Sequence, residues 1–585
     1  MSQRPLSRLL QRGQGELRTV GSLLESQRLA MRRQKDDHGC ECNWSFIEGI
    51  SANMKNWACY AVILLSLVLS EAMLAPGQPL AADNMWHFKW ASDVLAGNPI
   101  YWSGVDANRI FPDLLLSLGA AGLPGGQSFS AWTSYFFGIS GLSLGLSLIS
   151  LSRPLYSQSS ARIVFFALSS AAFVTVTAAL SYWSFWIVAP GNHGGSLCAV
   201  IAATALFLMY VKAERTNYAL LFAFVLICAF LVMSNRYLVV SFMTPLLLAA
   251  LASTQDRRRQ VILVSATLLS TAAGLGVWHV LGSSHFYRLV APGGQPSLHD
   301  ALSWTWWEGR VPRELREFAA APRQIQILFG LAVMCVAPVW SFWLLLRKPD
   351  GNSTIMVLRV FTLIVASSTI AAVMFVAVMV DDVGEWHYRY FVVPFCLAII
   401  ALSASAAPFL ASPRQAWLVI VSLPALSVTI ASISLSLSMA RPTYATQLRG
   451  DLTQLSHLLA EYDGMTTHNG LANYWIANEV SVRSANINVL PLNDREPFIY
   501  RPYNNNAWEL CRNVEFSFVL WEDNDQPGLG AIIKQLGPSL SHQRIQLGRF
   551  GPVQVLFYDP KLLEKAIAQP GRAAARREFP HFKCP

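Results

Sequence analysis

The chain has 585 residues, 53% of them hydrophobic and only 14% charged, and its mean hydropathy is +0.37. A soluble protein carries roughly a quarter charged residues, so this composition excludes an ordinary soluble globular domain. The formal net charge of +9 does not point to nucleic acid, because the basic residues fall largely in short loops between apolar runs, the positive-inside signature of a membrane protein.

Residues 1–56 form a polar segment rich in Arg and Gln, with Leu6, Leu9, Leu10 and Leu17 at partly helical spacing. A cleaved signal peptide has a short basic region before its apolar run. The segment is therefore read as a cytoplasmic N-terminal tail leading into an uncleaved anchor helix. Apolar runs near the length needed to cross hydrocarbon follow at 57–74, 132–151, 163–180, 196–211, 218–234, 237–253, 261–281, 325–346, 356–380, 391–407 and 417–439. The run 110–123 is shorter, is broken by Asp113 and ends in LPGGQ. If it crossed, every later loop would invert and the triplet Arg257, Arg258 and Arg259 would face outward. The positive-inside rule favours a juxtamembrane helix there. The expected protein thus has about 11 transmembrane helices in the cytoplasmic (inner) membrane, its N-terminus inside and its C-terminus outside.

In this topology the remaining polar groups gather on the outer face. The first external loop, 77–131, follows the anchor helix and concentrates Asp83, His87, Asp93, Asp106, Arg109 and Asp113 among Trp86, Trp90, Tyr101 and Trp102. Asp83, His87 and Trp90 stand at i, i+4 and i+7, one face of a helix starting near Ala82. Asp83 either caps that helix or removes a proton from an acceptor hydroxyl. Arg109 and Arg236 either snorkel to lipid headgroups or hold a phosphate by charge-assisted hydrogen bonds. His193 lies in APGNHGG, at a span entry. VDDVGEWHYRY adds His387 and Arg389, with Asp381, Asp382 and Glu385 as oxygen ligands suited to a divalent cation; a divalent metal ion is the only cofactor the chain suggests. A transporter tends to place such groups near the bilayer midplane, often with internal repeats. No charged residue is read mid-span and no repeat is found.

Cys59, Cys198, Cys228, Cys335 and Cys396 sit singly in apolar runs and read as small core residues. Cys40 and Cys42 lack the second pair a zinc site needs. Cys511 and Cys584 lie in the polar C-terminal part and can form a disulfide if that part is outside. The loop 282–323 carries WTWWEGRVPRELREF, read as an interfacial helix or as a roof over substrate. Residues 441–585 turn polar, with alternating segments INVLPL, VEFSFVLWE and VQVLFYD, and read as a compact extracytoplasmic α/β domain. Its GLANYW and PYNNNAW edges suit carbohydrate as well as ordinary turns. The domains are accordingly 1–56, a membrane module 57–440, and 441–585.

With these residues in view, the chain resembles the GT-C superfamily of membrane glycosyltransferases, which includes protein O-mannosyltransferases and aminoarabinose transferases. LAADNMWHFKWASDVLAGNPIY is similar to that family's acidic first-loop segment. FPDLLL resembles the start of its second juxtamembrane helix, and HYRYFVVP its Arg-Tyr-Pro entry to a late span. Asn84 stands where many members have Glu or an aromatic residue, and Asn235 where some bacterial relatives have Asp. The resemblance implies Asp83 as catalytic base and a polyprenyl-(di)phosphate sugar donor, with an acceptor glycan, lipid or protein. Arg109, Arg236 or Arg389 would hold the departing phosphate, with His87, His193 and His387 as further contacts to substrate. Two other readings stay open: a transporter or lipid flippase, and a non-catalytic assembly protein that binds partners through its C-terminal domain. A reporter fused after residue 450 is expected to read external; a cytoplasmic reading would overturn the topology.

Overall fold

The computed structural model describes residues 44–579, other than 79, 81, 100, 106–109, 181–182, 184–186, 188–193, 254–255, 283–286, 291–303, 322, 347–352, 380–388, 441–443, 464–467, 485, 493–509 and 511–514. The chain forms two compact units, Met1–Cys59 and Tyr60–Pro585. Of the first, the described part is the opening half of a helix, α1 (Trp44–Leu74), that runs on into the second.

The membrane module follows the apolar runs. Nine helices among the described residues are long and apolar enough to cross a membrane, and they coincide with nine of the eleven expected spans. The other two expected spans are also helical but shorter, Tyr218–Ser234 and Val239–Ala252. The helices that bear on the site are α2 (Ala82–Leu95), α3 (Leu115–Gly122), α4 (Phe129–Leu155), α5 (Ser159–Ala179), α6 (Gly194–Lys212), α7 (Tyr218–Ser234), α8 (Thr244–Ala252), α9 (Arg257–Gly282), α10 (Trp304–Ala320), α11 (Gln324–Leu346), α12 (Ser353–Met379), α13 (Val392–Ala406) and α14 (Pro413–Ala440). Local chemistry sets several of the starts. The Ser128 side chain accepts a hydrogen bond from the Ala131 amide and caps α4, and the Asn217 side-chain oxygen accepts from the Ala219 and Leu220 amides and caps α7, each satisfying amides that have no partner inside the helix.

The ambiguous run 110–123 resolves as the charge pattern required. Phe111 has non-helical dihedrals (φ −112°, ψ 131°), the Phe111–Pro112 peptide is cis, and regular helix covers only the eight residues of α3. At about 1.5 Å per residue, eight residues reach about 12 Å, well short of a hydrocarbon core of about 30 Å. So α3 does not span.

The loop helices are packed rather than loosely solvated. In α2, Met85, Trp86, His87, Phe88 and Ala91 are all buried. Ser117 of α3 donates its hydroxyl to the His87 carbonyl (2.8 Å), and the Trp132 indole of α4 donates to both the carbonyl and the hydroxyl of Ser117 (3.2 Å each). Asp93 accepts from the Asn98 side-chain amide (2.9 Å), closing the turn after α2, in which Gly97 takes φ 70°. The strand β1 (Trp102–Val105) of this loop pairs in parallel with β2 (Tyr287–Val290) of the loop after α9. In that second loop Arg310 of α10 is buried and donates to the Val376 carbonyl at the end of α12 (3.0 Å), while Val311 and Leu315 are exposed. This amphipathic arrangement fits the interfacial reading of α10.

The C-terminal region is an α/β domain, as its alternating pattern predicts. Helices α15 (Tyr444–Asp463), α16 (Tyr474–Arg483), α17 (Gln526–Leu536) and α18 (Gln569–Glu578) flank the strands β3 (His468–Ala472), β4 (Ile487–Pro491), β5 (Phe518–Glu522), β6 (Ser541–Gln546) and β7 (Pro552–Phe557). The sheet order is β4-β3-β5-β7-β6, with β3, β4 and β5 parallel and β7 antiparallel to both β5 and β6. Side chains alternate between the faces of a strand, and here they build a core on each. One joins Leu448, Leu455, Ile476 and Val480 to Val489, Phe518 and Val555. The other joins Ile532 and Leu536 to Leu490, Val519, Trp521 and Leu556. A helical module followed by an α/β domain is the layout expected from the sequence.

This domain sits on the first loop. Helix α16 packs against α2. The Arg483 guanidinium lies 5.1 Å from the Phe129 ring centre at the start of α4, and Phe579 meets Tyr101 ring to ring at 5.8 Å.

Candidate functional site

Four segments from distant parts of the chain close on one another at the end of the bundle that carries α2 and α3. The first is Phe111-Pro112-Asp113, which enters α3. Its Phe111 amide donates to the Ser234 hydroxyl (2.9 Å), and its Phe111 ring lies 5.3 Å from Phe230. That ties it to the end of α7 and so to the second segment, Ser234–Tyr237. There Asn235 folds the turn: its side-chain oxygen accepts from the Tyr237 amide (3.2 Å) and its carbonyl from the Leu238 amide (3.0 Å). Arg236 is held half-buried, its guanidinium 4.1 Å from the Trp278 ring centre.

The third segment is Arg389-Tyr390-Phe391 at the entry to α13. The Tyr237 hydroxyl donates to the Tyr390 carbonyl. Tyr237, Phe375 and Tyr390 form a ring triangle with centre separations of 4.9, 5.0 and 5.1 Å. Arg389 lies 4.9 Å over the Tyr390 ring and donates one hydrogen bond to a tyrosine hydroxyl, that of Tyr390, at 2.9 Å. The two arginines therefore flank one bonded aromatic pair. A stacked guanidinium is charged at any physiological pH and carries its donors around its edge, the arrangement that recognises phosphate oxygens.

The fourth segment is the start of α6. Asp113 is 1% exposed, and a Cβ placed on Gly195 would run into its carboxylate. The carboxylate thus lies directly against the first turn of α6, where the helix dipole favours negative charge. No side chain fits at position 195, which gives the last glycine of the GNHGG stretch a physical reason.

Of the residues predicted from sequence, Arg236 and Arg389 stand next in the chain to the hydrogen-bonded Tyr237 and Tyr390. Asp83 stands in the first turn of α2, on a helix that packs against the Ile110–Leu114 segment; its side chain lies outside the described residues. His87 is wholly buried, its ring 3.8 Å from that of Trp86, so it belongs to the packed side of α2. Arg109, His193, His387, Asp381, Asp382, Glu385, Cys511 and Cys584 lie outside the described residues. Among the described residues no group of three or more His, Cys, Asp and Glu side chains could hold a metal ion. Cys198, Cys228 and Cys396 are buried thiols, as read; Cys335 is exposed on the surface of its helix instead of in the core.

Two carboxylates were passed over in the sequence. Asp113 is the first, read there as one of the charges of the first loop and as the break in a short run, with no role of its own. Glu71, in the last turn of α1, is the second. It is 2% exposed, faces Gly141 of α4, and accepts a hydrogen bond from the Thr177 hydroxyl (3.4 Å). An acid within an apolar run is itself the signal that finds Glu71.

No family model matches the chain, and none of the curated proteins matches it. Among solved structures the chain is similar to one described as ArnT from Cupriavidus metallidurans bound to undecaprenyl phosphate, at 12% sequence identity, covering 85% of this chain and 97% of that chain with a TM-score of 0.41.

Gly195→Ala is expected to lower stability by about 1–3 kcal/mol, the usual cost of overpacking, read as a lower melting temperature of the purified protein. Asp113→Ala in the same chain is expected to restore part of that loss. An unchanged melting temperature for the single variant would contradict the close approach.

Proposed function

We propose that the protein is a glycosyltransferase that moves a sugar from a polyprenyl-(di)phosphate donor to an acceptor at the outer face of the cytoplasmic membrane. The observation that carries this reading is the Tyr237–Tyr390 hydrogen bond, which joins the turn of Arg236, stacked on Trp278, to the segment of Arg389, stacked on Tyr390, beside the turn that enters α3 and against which α2 packs. Two stacked guanidiniums at the end of a helical bundle are suited to the phosphate of a lipid whose tail lies between the helices, since Arg pairs with phosphate through several charge-assisted hydrogen bonds.

In this mechanism Asp83 takes the proton from an acceptor hydroxyl as that oxygen forms its bond to the anomeric carbon. The bond between that carbon and the phosphate oxygen breaks, and the electron pair leaves with the phosphate. Arg236 and Arg389 receive the developing charge, with Arg109, His193 and His387 as further donors from the adjoining segments. Asp381, Asp382 and Glu385 are the residues that would hold a divalent cation, which would supply positive charge to a diphosphate donor. The C-terminal domain, whose α16 packs against α2, would present the acceptor.

Asp83→Asn is expected to lower sugar transfer by about 10²–10⁴-fold, the usual weight of general-base catalysis, with membrane insertion and abundance unchanged. Transfer would be measured from a synthetic polyprenyl-phosphate sugar. The control is Asp93→Asn, at the residue bonded to Asn98, which is expected to retain activity. Full activity in Asp83→Asn would remove Asp83 from the mechanism.

A further inference from the structure

The C-terminal domain contains a second site, built by its topology. Strand β3 lies between β4 and β5 and is parallel to both. The chain leaves β3 through α16 to reach β4 on one side, then returns to β5 on the other. The connections therefore diverge at the carboxyl ends of β3 and β5, and an open crevice at such a reversal is where α/β sheets bind ligands.

The residues at those two carboxyl ends have a specific chemistry. Asn473, directly after β3, caps α16 through its side-chain oxygen (2.9 Å from the Ile476 amide) and donates its side-chain amide to Glu522 Oε1 at the end of β5 (3.0 Å). The pair joins the carboxyl ends of β3 and β5, and both residues are half-buried. The neighbouring acids are engaged elsewhere: Asp523 accepts from Gln554 (2.6 Å) and pairs with Arg544, and Asp525 caps α17 and accepts from the Trp521 indole (2.9 Å). Beside Asn473, Trp475 is 43% exposed although Tyr474 and all of Ile476–Val480 are buried. A large aromatic side chain is thus left uncovered at the lip of a polar crevice.

We propose that this crevice binds a sugar ring of the acceptor, with Trp475 under its C–H face and Asn473 and Glu522 on its hydroxyls. An aromatic face joined to a few placed polar groups is the chemistry of a carbohydrate site. A nucleotide or other phosphate is disfavoured, because Glu522 brings negative charge to the floor and the turn after β3, Ala472-Asn473-Tyr474, has no glycine to admit a phosphate to the backbone. Helix α16 also packs on α2, so a glycan held here lies next to the helix that carries Asp83. The assignment of the glycan as acceptor rests on the proposed glycosyltransferase function; the crevice as a sugar site does not.

The test is saturation-transfer NMR on the purified full-length protein in detergent with chitotetraose, maltoheptaose and a mannotetraose as probes. At least one probe is expected to receive saturation. Its affinity is expected to fall by about tenfold, equivalent to about 1.4 kcal/mol, in both Trp475→Ala and Glu522→Gln, with melting temperatures unchanged. No transfer to any probe, or wild-type binding in Trp475→Ala, would overturn the inference. Binding that depends on Trp475 in a protein that transfers no sugar would uphold the crevice and defeat the glycosyltransferase reading instead.

Discussion

The contact on which the rest of the site depends is that of the Asp113 carboxylate with the first turn of α6. A carboxylate that is 1% exposed is costly to bury unless its charge is met, and the positive end of α6 is what it meets. Gly195 allows the approach. With Asp113 held there, the Phe111 amide is positioned for Ser234, and α3 begins only at Leu115. The short α3 then supports α2 through Ser117 and Trp132. One buried carboxylate thus sets the height of both loop helices relative to the bundle, and with it the place of Asp83 in the first turn of α2.

Around that anchor each of the two arginines lies over an aromatic ring. Arg236 stacks on Trp278 and Arg389 on Tyr390, and the Tyr237–Tyr390 hydrogen bond joins the two segments. A guanidinium over a ring face keeps its donors at its edge. The C-terminal domain uses ion pairs instead: buried Glu479 holds Arg483 and Arg549.

Much of the fold was legible in the residues. Every apolar run expected to span is a helix, and the run 110–123, which charge counting left out of the span set, is helical only over Phe111–Gly122. The alternating segments of the C-terminal part are strands, since period-two burial is a local property that a single sequence displays. The site was legible in part. Arg236 and Arg389 were found because charge beside apolar runs is conspicuous. Asp113 and its glycine were not, because one stands about eighty positions from the other and nothing local marks the pairing. The same holds for α16 on α2, a contact between residues nearly four hundred positions apart. His87 was read as a substrate contact because its spacing placed it on a face with Asp83; in the structure its ring is wholly buried beside Trp86.

The central claim is that one lipid-borne phosphate binds where the FPD turn, the Ser234–Tyr237 turn and the Arg389–Phe391 segment meet. Photocrosslinking with a benzophenone-bearing polyprenyl phosphate, followed by mass-spectrometric mapping of the adducts, tests it most directly. The account predicts adducts on the helices that end in these segments, competed away by unlabelled polyprenyl phosphate and lost in the Arg236→Ala, Arg389→Ala double variant. Competed adducts confined to other helices, or labelling that survives loss of both arginines, would contradict it.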